Sequence, residues 1–192
     1  MIIKIKNLTI KPLTPSNWAD FEDLFGPKGA YAGCWCMWWR LPRKEFENGQ
    51  GESNRKAMKD IVHSGKIPGL IAYSNARPCG WCSVAPRDHF GSLERSRVLK
   101  RIDNKNVWSI VCFFITKIYR GKKLGLNLIL GAIEYVKSQG GEIIEAYPTI
   151  LKTTKAQPVS TFMGMPSMFS QAGFEEISRP SQSKLIMRYY IK

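Results

Sequence analysis

Residues 107–133 read VWSIVCFFITKIYRGKKLGLNLILGAI, and this stretch decides the fold. The apolar run at 107–115 has no polar alternation, which predicts a central strand buried on both faces. From residue 124 to residue 138 apolar side chains recur at helical spacing, and Gly140 and Gly141 end that pattern. The predicted local structure is therefore a strand that leads through a short turn into a helix.

The turn at residues 120–125 reads Arg-Gly-Lys-Lys-Leu-Gly. Free backbone N–H groups and the dipole at a helix N-terminus favour an anion, and glycine lets a phosphate come close to the backbone. Arg120, Lys122 and Lys123 add positive charge. The turn therefore predicts a pyrophosphate site, although an ordinary basic turn that starts a helix has the same pattern. Neither GxxxxGK[ST] nor GxGxxG is present.

Strands and helices are predicted on both sides of this stretch. Before it come an alternating first strand, a helix after Thr14-Pro15, a polar loop over 42–54, a helix over 53–64 and a hairpin over 69–84. After it come a strand over 142–147, a short helix over 165–172 and two final strands. The order βααβββαβαββ predicts an α/β fold with a mixed, mostly antiparallel central sheet and helices on both faces.

Composition indicates a folded, basic protein. With 192 residues, of which 44% are hydrophobic, we expect one domain over residues 1–192. The formal net charge of +14 favours nucleic acid, a membrane surface or a phosphorylated small molecule, and a generally basic surface is the alternative. No apolar run reaches the length of a membrane span, and the N-terminus lacks the pattern of a signal peptide. We therefore expect a cytoplasmic protein.

The order of elements and two motifs resemble the GNAT superfamily of acyl-CoA-dependent N-acyltransferases. The family signature Arg/Gln-x-x-Gly-x-Gly/Ala corresponds to 120–125, and 168–174 resembles a family helix that ends in Gly-Phe. A bacterial subgroup with Cys-Trp-Cys-Met and Glu-Ala-Tyr-Pro segments is similar at 34–37 and 145–148. Two positions depart from the family. Lys123 replaces the first signature glycine, and Phe169 replaces the tyrosine that in many members protonates the CoA thiolate.

The resemblance implies an enzyme that uses acetyl-CoA as cosubstrate and transfers the acetyl group directly to an amine. The edge of the central strand would pair with the pantetheine arm, and the basic turn would bind the phosphates. On this basis cofactor binding is assigned to Phe113, Phe114, Ile115, Arg120, Gly121, Lys122, Lys123, Leu124, Gly125 and Phe169. The expected partner is a small-molecule or peptide amine, with no membrane partner, and a homodimer is left open.

The rival hypothesis is a non-catalytic module that binds CoA or nucleic acid on the same fold. The departures at Lys123 and Phe169 keep it open, while the lack of an RNA-recognition motif does not favour nucleic acid.

Acid–base candidates lie on the strand after the long helix. Glu145 is a candidate general base for the acceptor amine, and Tyr147 is a candidate donor to the CoA thiolate. The alternative for Glu145 is a strand glutamate in a surface salt bridge, and a water chain could replace any side chain. Further candidates are His63, His89, Ser167 and Ser170.

The stretch GCWCMWWR at residues 33–40 concentrates cysteine and tryptophan. Trp38 and Trp39, with Trp81 on the hairpin, are predicted to wall the acceptor pocket, and simple packing of helices onto the sheet is the alternative. Four cysteines at 34, 36, 79 and 82 could ligate zinc. Because Cys79 and Cys82 would face opposite sides of a strand, we expect no metal and interpret most cysteines as reduced, buried side chains.

Overall fold

A computed structural model describes residues 5–151 and 161–192, which form one seven-stranded sheet with helices on both faces. The strands are β1 (Leu8–Pro12), β2 (Leu70–Ser74), β3 (Arg77–Pro86), β4 (Trp108–Ile115), β5 (Ile143–Ala146), β6 (Glu175–Ser181) and β7 (Lys184–Tyr190). Their order across the sheet is β1-β2-β3-β4-β5-β7-β6. Neighbours run antiparallel except for β4 and β5, which run parallel. The predicted mixed, mostly antiparallel sheet is confirmed.

Six α-helices occur within these residues. They are α1 (Trp18–Phe25), α2 (Arg43–Asn48), α3 (Glu52–His63), α4 (Gly91–Glu94), α5 (Leu124–Ser138) and α6 (Pro166–Gln171). The prediction of a loop over 42–54 is wrong, because α2 forms there and buries Phe46. Its other residues are polar, so the sequence has too few apolar positions to show helical spacing. None of the described helices is long and apolar enough to cross a membrane.

Alternation along the strands divides the core between the two faces of the sheet. Leu70, Ala72 and Cys82 pack in the cluster under α5, whereas Ile71 and Trp81 pack with α1 and α3. The long helix lies close to β3 at Gly80, where a Cβ would stand 3.1 Å from Leu124 Cδ2. Burial of each large apolar side chain stabilises the fold by about 1.5–3 kcal/mol.

The sheet opens where β4 and β5 separate. These strands pair only at three positions, from Trp108↔Ile144 to Ile110↔Ala146. Three residues further along β4, the N–H of Phe113 donates instead to the carbonyl of Phe162, over 2.6 Å. The C-terminal half of β4 therefore has one edge that β5 does not cover, and this opening positions the candidate site.

Candidate active site

A cavity of about 860 Å³ lies beside this opening. Its lining comes from the loop at 30–38, the end of β4, the turn that starts α5, and residues 161–171. The described lining residues include no Asp, Glu or His, and their only charged side chains are those of Arg120 and Lys123. The cavity is therefore apolar with a basic side.

Five of the six residues of the basic turn at 120–125 lie on the cavity. Arg120, Gly121, Lys123, Leu124 and Gly125 line the cavity. Lys122 does not, because its ammonium contacts the carbonyl of Ile118 and lies 5.7 Å from the centre of the Tyr119 ring. Two of the three predicted cations therefore lie on the cavity, and the assignment of Lys122 to cofactor binding stays a prediction.

Lys123 occupies the glycine position of the signature in a left-handed conformation, with φ of 61°. It is the N-cap of α5, and the N–H groups of the first helical turn follow it. A lysine in this region carries backbone strain that glycine would not. The turn thus combines a backbone conformation that favours glycine with an added positive charge.

Gly125 has a packing role in addition to lining the cavity. A Cβ at this position would lie 2.3 Å from Cε of Met168, on α6. The glycine therefore makes room for Met168 over the first turn of α5. The sequence predicts instead that glycine in this turn lets a phosphate approach the backbone.

The end of β4 provides part of the predicted pantetheine edge. Phe113, Phe114 and Ile115 all line the cavity, but the Phe113 N–H is already bonded to Phe162. Strand alternation places the Ile115 N–H on the same edge. The Ile115 carbonyl accepts a hydrogen bond from Nε of Arg120 over 2.9 Å. The expected pairing at Phe113 would thus require Phe162 to move.

Phe169 is fully buried and does not line the cavity. Its ring packs against Phe113 at 6.0 Å and Phe174 at 5.2 Å between centroids. The assignment of Phe169 to cofactor binding is corrected, because α6 turns this ring into the core under α5.

Glu145 and Tyr147 belong to a buried polar network and do not line the cavity. The Glu145 carboxylate accepts hydrogen bonds from Arg87 Nη1 at 3.0 Å, Arg188 Nε at 2.9 Å and the Tyr147 hydroxyl at 2.7 Å. Burial, followed by the Glu145 charge, raises the pKa of Tyr147. This position does not favour Glu145 as a base or Tyr147 as an acid.

The network attaches the segment after α4 to the sheet. Arg87 also bonds Glu94 at 2.6 Å, and Arg188 holds Asp103 through both terminal nitrogens. Glu145 is therefore in a buried ion pair rather than in the surface salt bridge that was its alternative. His63 and His89 also lie outside the cavity lining, whereas Ser167 lies within it.

Of the three tryptophans assigned to the acceptor pocket, Trp38 alone lines the cavity. It is 39% exposed and packs edge-on against Phe46. Trp39 packs against a separate core cluster, and Trp81 is fully buried between α1 and the sheet. The assignments of Trp39 and Trp81 as pocket walls are corrected, because the chain turns both rings inward.

Trp81 nevertheless contacts a residue of the cavity lining, Cys36. Its Nε1 donates to the Cys36 sulfur over 3.2 Å, and Cys36 lines the cavity with Cys34 and Cys112. The pKa of Cys36 is lowered, first by a hydrogen bond from the Cys112 thiol and then by the positive charge of Arg40, although burial opposes the shift. The sequence named Cys36 only as a possible zinc ligand or a buried thiol and did not single out Arg40, because a cysteine and an arginine in an aromatic-rich stretch give no periodic signal.

Cys79 and Cys82 lie on the same face of the sheet, so the prediction that they face opposite sides is wrong. A register shift between Ala72 and Tyr73 makes Cys79 an extra residue of β3, so both cysteines enter the cluster under α5. Cys36 lies in the cluster on the opposite face. In the described part of the chain, no group of three or more His, Cys, Asp or Glu is placed to hold a metal ion.

Comparison with known proteins gives one family and several solved structures. The model of the acetyltransferase (GNAT) family matches residues 35–160. PaiA N-acetyltransferase from Thermoplasma acidophilum, in complex with coenzyme A, is 16% identical with a TM-score of 0.54, over 96% of this chain and 99% of that one. YncA from Salmonella typhimurium, with acetyl-CoA, is 12% identical with a TM-score of 0.52, over 96% and 94%.

A chain from the NatC complex bound to Gag peptide and CoA is 11% identical with a TM-score of 0.54, over 96% and 99%. These likenesses show the fold. No curated protein sequence matches this chain.

Proposed function

The chain belongs to the acetyltransferase (GNAT) family, and from that premise we propose that it transfers an acetyl group from acetyl-CoA directly to an amine held in the cavity. The observation that carries the proposal is the continuity of the cavity lining. It includes the basic turn at the start of α5, the uncovered edge of β4 and the aromatic loop around Trp38. A phosphorylated donor and an apolar acceptor can therefore meet beside one strand.

The residues fit the donor in charge and in backbone. Arg120 and Lys123 supply two positive charges, and the first turn of α5 supplies N–H groups that no helical carbonyl accepts. We assign the phosphates to this turn and the pantetheine arm to the edge at 113–115. Acetyl-CoA would supply the acetyl group as a thioester.

The acceptor side is proposed to lie between the loop at 30–38 and the end of β4. Phe25, Trp38, Phe46 and Phe114 line this part of the cavity with aromatic rings. Tyr31, which is 63% exposed, stands at its border. These walls fit a small amine or an amine-bearing end of a peptide with an apolar body.

A screen of amines tests the proposal by following release of free CoA thiol from acetyl-CoA. We expect thiol release that depends on the amine, together with CoA binding in calorimetry. Reactions without amine correct for hydrolysis. If CoA binds while no amine in a broad panel is acetylated, the chain is a CoA-binding module and the catalytic proposal fails.

A further inference from the structure

Arg40 is a buried cation without a carboxylate partner. Its side chain is 9% exposed, and the ion pairs in the described part of the chain do not include it. It donates to the Pro68 carbonyl at 2.9 Å and lies 4.4 Å from the centre of the Phe90 ring. Within the described residues its Nε has no hydrogen-bond partner. A buried charge is costly unless an opposite charge compensates it.

The Cys36 sulfur is the group placed to provide that opposite charge. It accepts a hydrogen bond from Trp81 Nε1 over 3.2 Å. The neighbouring Cys112, Arg40 and Ser83 side chains also lower its pKa, against the opposing effect of burial. A sulfur surrounded by donors is stabilised as the thiolate. The neighbouring Cys112 thiol has its pKa raised by its contact with Cys36 and by burial, which favours Cys36 as the member of the pair that ionises.

The surroundings of Cys36 contain one cation and several thiols. The titratable and charged groups that face it are Arg40, Cys34, Cys82 and Cys112. Burial raises the pKa of Cys34 to about 11 and that of Cys82 well above its ordinary value. Burial lowers the pKa of Arg40 to about 10, so the guanidinium remains charged at neutral pH. Cys36 is therefore the thiol of this group that ionises most readily.

The backbone at Cys36 is also unusual. Trp35 and Cys36 have φ of 44° and 60°, in the left-handed region. Such conformations cost about 1–3 kcal/mol each and persist where the surrounding structure fixes them, often at functional sites. The strained pair turns the Trp35 ring into the core and the Cys36 sulfur toward the cavity and Trp81.

We propose that the Cys36 thiolate, held by Arg40, Trp81 and Cys112, is the proton acceptor for the amine and then the proton donor to the departing CoA sulfur. This inference rests on the proposed acetyl transfer. The described cavity lining has no carboxylate or imidazole that could act as this proton acceptor and donor, and the Phe169 ring has no acidic proton.

The proposed proton path balances. The amine nitrogen attacks the thioester carbonyl, an N–C bond forms and the N–H proton passes to the Cys36 sulfur. The C–S bond then breaks with its electron pair on the CoA sulfur, which takes the proton from Cys36. The products are an amide and CoA thiol, and the Cys36 thiolate is regenerated.

The same chemistry defines the acceptor class. A weakly basic thiolate cannot deprotonate an alkylammonium ion efficiently, but it can take the acidic proton of the adduct formed by a weakly basic amine. The described lining has no carboxylate to bind an ammonium ion and has two cations, and its acceptor side carries several aromatic rings. The acceptor is therefore an amine that is neutral at pH 7, such as an aromatic amine.

The primary test combines Cys36→Ala with a matched Cys79→Ala control, because Cys79 is also buried but lies in the core cluster under α5. With acetyl-CoA and aniline, Cys36→Ala should lower kcat by about 10²–10⁴-fold and keep CoA affinity within about twofold. Hexylamine, of equal carbon count, should be the poorer acceptor. Transfer that survives Cys36→Ala, or a preference for hexylamine, overturns the proposal.

A second readout does not need activity. Ultraviolet thiolate absorbance followed against pH should show one thiol that titrates below the ordinary value of about 8.5, and Cys36→Ala should lack that step. Trp81→Phe removes one donor and should raise both this midpoint and the midpoint of the kcat–pH profile. If Cys36 had only a structural role, the midpoint of the thiolate titration could shift without a matching shift in the kcat–pH profile.

The outcomes separate the two proposals. An acetyl adduct on Cys36 in intact-mass spectra would replace the proton path by a covalent one. Absence of transfer by the wild type to every amine would remove the proposed function. A wild type that transfers acetyl groups but shows no low thiolate step, or a step that persists in Cys36→Ala, would remove only the role of Cys36.

Discussion

Arg188 on β7 donates from Nε to a Glu145 oxygen on β5 over 2.9 Å, with both side chains almost fully buried. Arg87 bonds the other Glu145 oxygen. The carboxylate thus links two buried arginines, which in turn hold Glu94 at the end of α4 and Asp103 after it. This relationship assigns Glu145 to the stability of the fold.

Glu145→Gln should lower the free energy of unfolding by about 3–5 kcal/mol, because two buried guanidinium groups lose their shared anion. Urea denaturation measures the change. Glu176→Gln is the control, since its pair with Arg179 is exposed, and its denaturation midpoint should barely move. A Glu145→Gln variant with normal stability but no acyl transfer would restore Glu145 as the candidate base.

Asp103 should make the fold sensitive to acid. The hydrogen bonds from Arg188, against a smaller opposing effect of burial, lower the pKa of Asp103 to about 2. A carboxylate with a lowered folded-state pKa contributes stability above its unfolded value, near 3.9, and that contribution is lost as pH falls toward 2. Asp103→Asn should therefore show a shallower decline in denaturation midpoint over this range. Asp23→Asn, at an exposed site on α1, should keep the parent slope.

Phe169→Tyr should lower stability without raising the acetylation rate. The ring atoms Cε2 and Cζ lie 2.8 and 3.4 Å from where a Cβ at Gly164 would stand, so a new hydroxyl would enter a packed core. A buried hydroxyl without a partner costs about 1–3 kcal/mol. Thermal unfolding and initial rates on the same preparation measure both effects. A faster variant of normal stability would show that the hydroxyl reaches the CoA sulfur.

Arg120→Glu should weaken CoA binding strongly, since it places a negative charge at the proposed phosphate site. Lys122→Glu changes the net charge equally but alters a side chain outside the cavity lining. Calorimetric titration should therefore give a much larger loss of affinity for Arg120→Glu, with weaker binding at high salt for the parent. Equal losses would mean that overall charge, and not this turn, binds CoA.

Lys123→Gly should raise the free energy of unfolding by about 1 kcal/mol, because glycine adopts the left-handed N-cap without strain. Lys123→Ala removes the same charge but keeps the left-handed strain, so its free energy of unfolding should not rise above that of the parent. Both variants should lose similar CoA affinity in calorimetry. An equal gain in the free energy of unfolding for Lys123→Ala would show that relief of charge repulsion, and not relief of backbone strain, stabilises the variants.

Several features could be predicted from the sequence because they depend on local periodicity. The buried strand at 107–115, the helix from 124 to 138 and the mixed sheet follow from apolar spacing and from glycine at helix ends. The turn between them was found because charge and glycine are adjacent in the chain.

Side-chain direction was harder to predict, because one extra residue in a strand reverses it. The register shift at Cys79 brings it to the same face as Cys82, and left-handed φ values at Trp35 and Cys36 set the directions of their side chains. Trp81 and Phe169 resemble pocket residues in type, but their neighbours in space place both in the core.

The sequence by itself determined the family, the order of elements and the basic turn, since each is encoded in neighbouring residues. Only the tertiary structure decided which polar groups meet. Glu145 finds Arg188 43 positions away, and Cys36 finds Trp81 45 positions away. Such pairs form because a buried charge or donor is costly without a partner, and which partner is available depends on how the strands pack together.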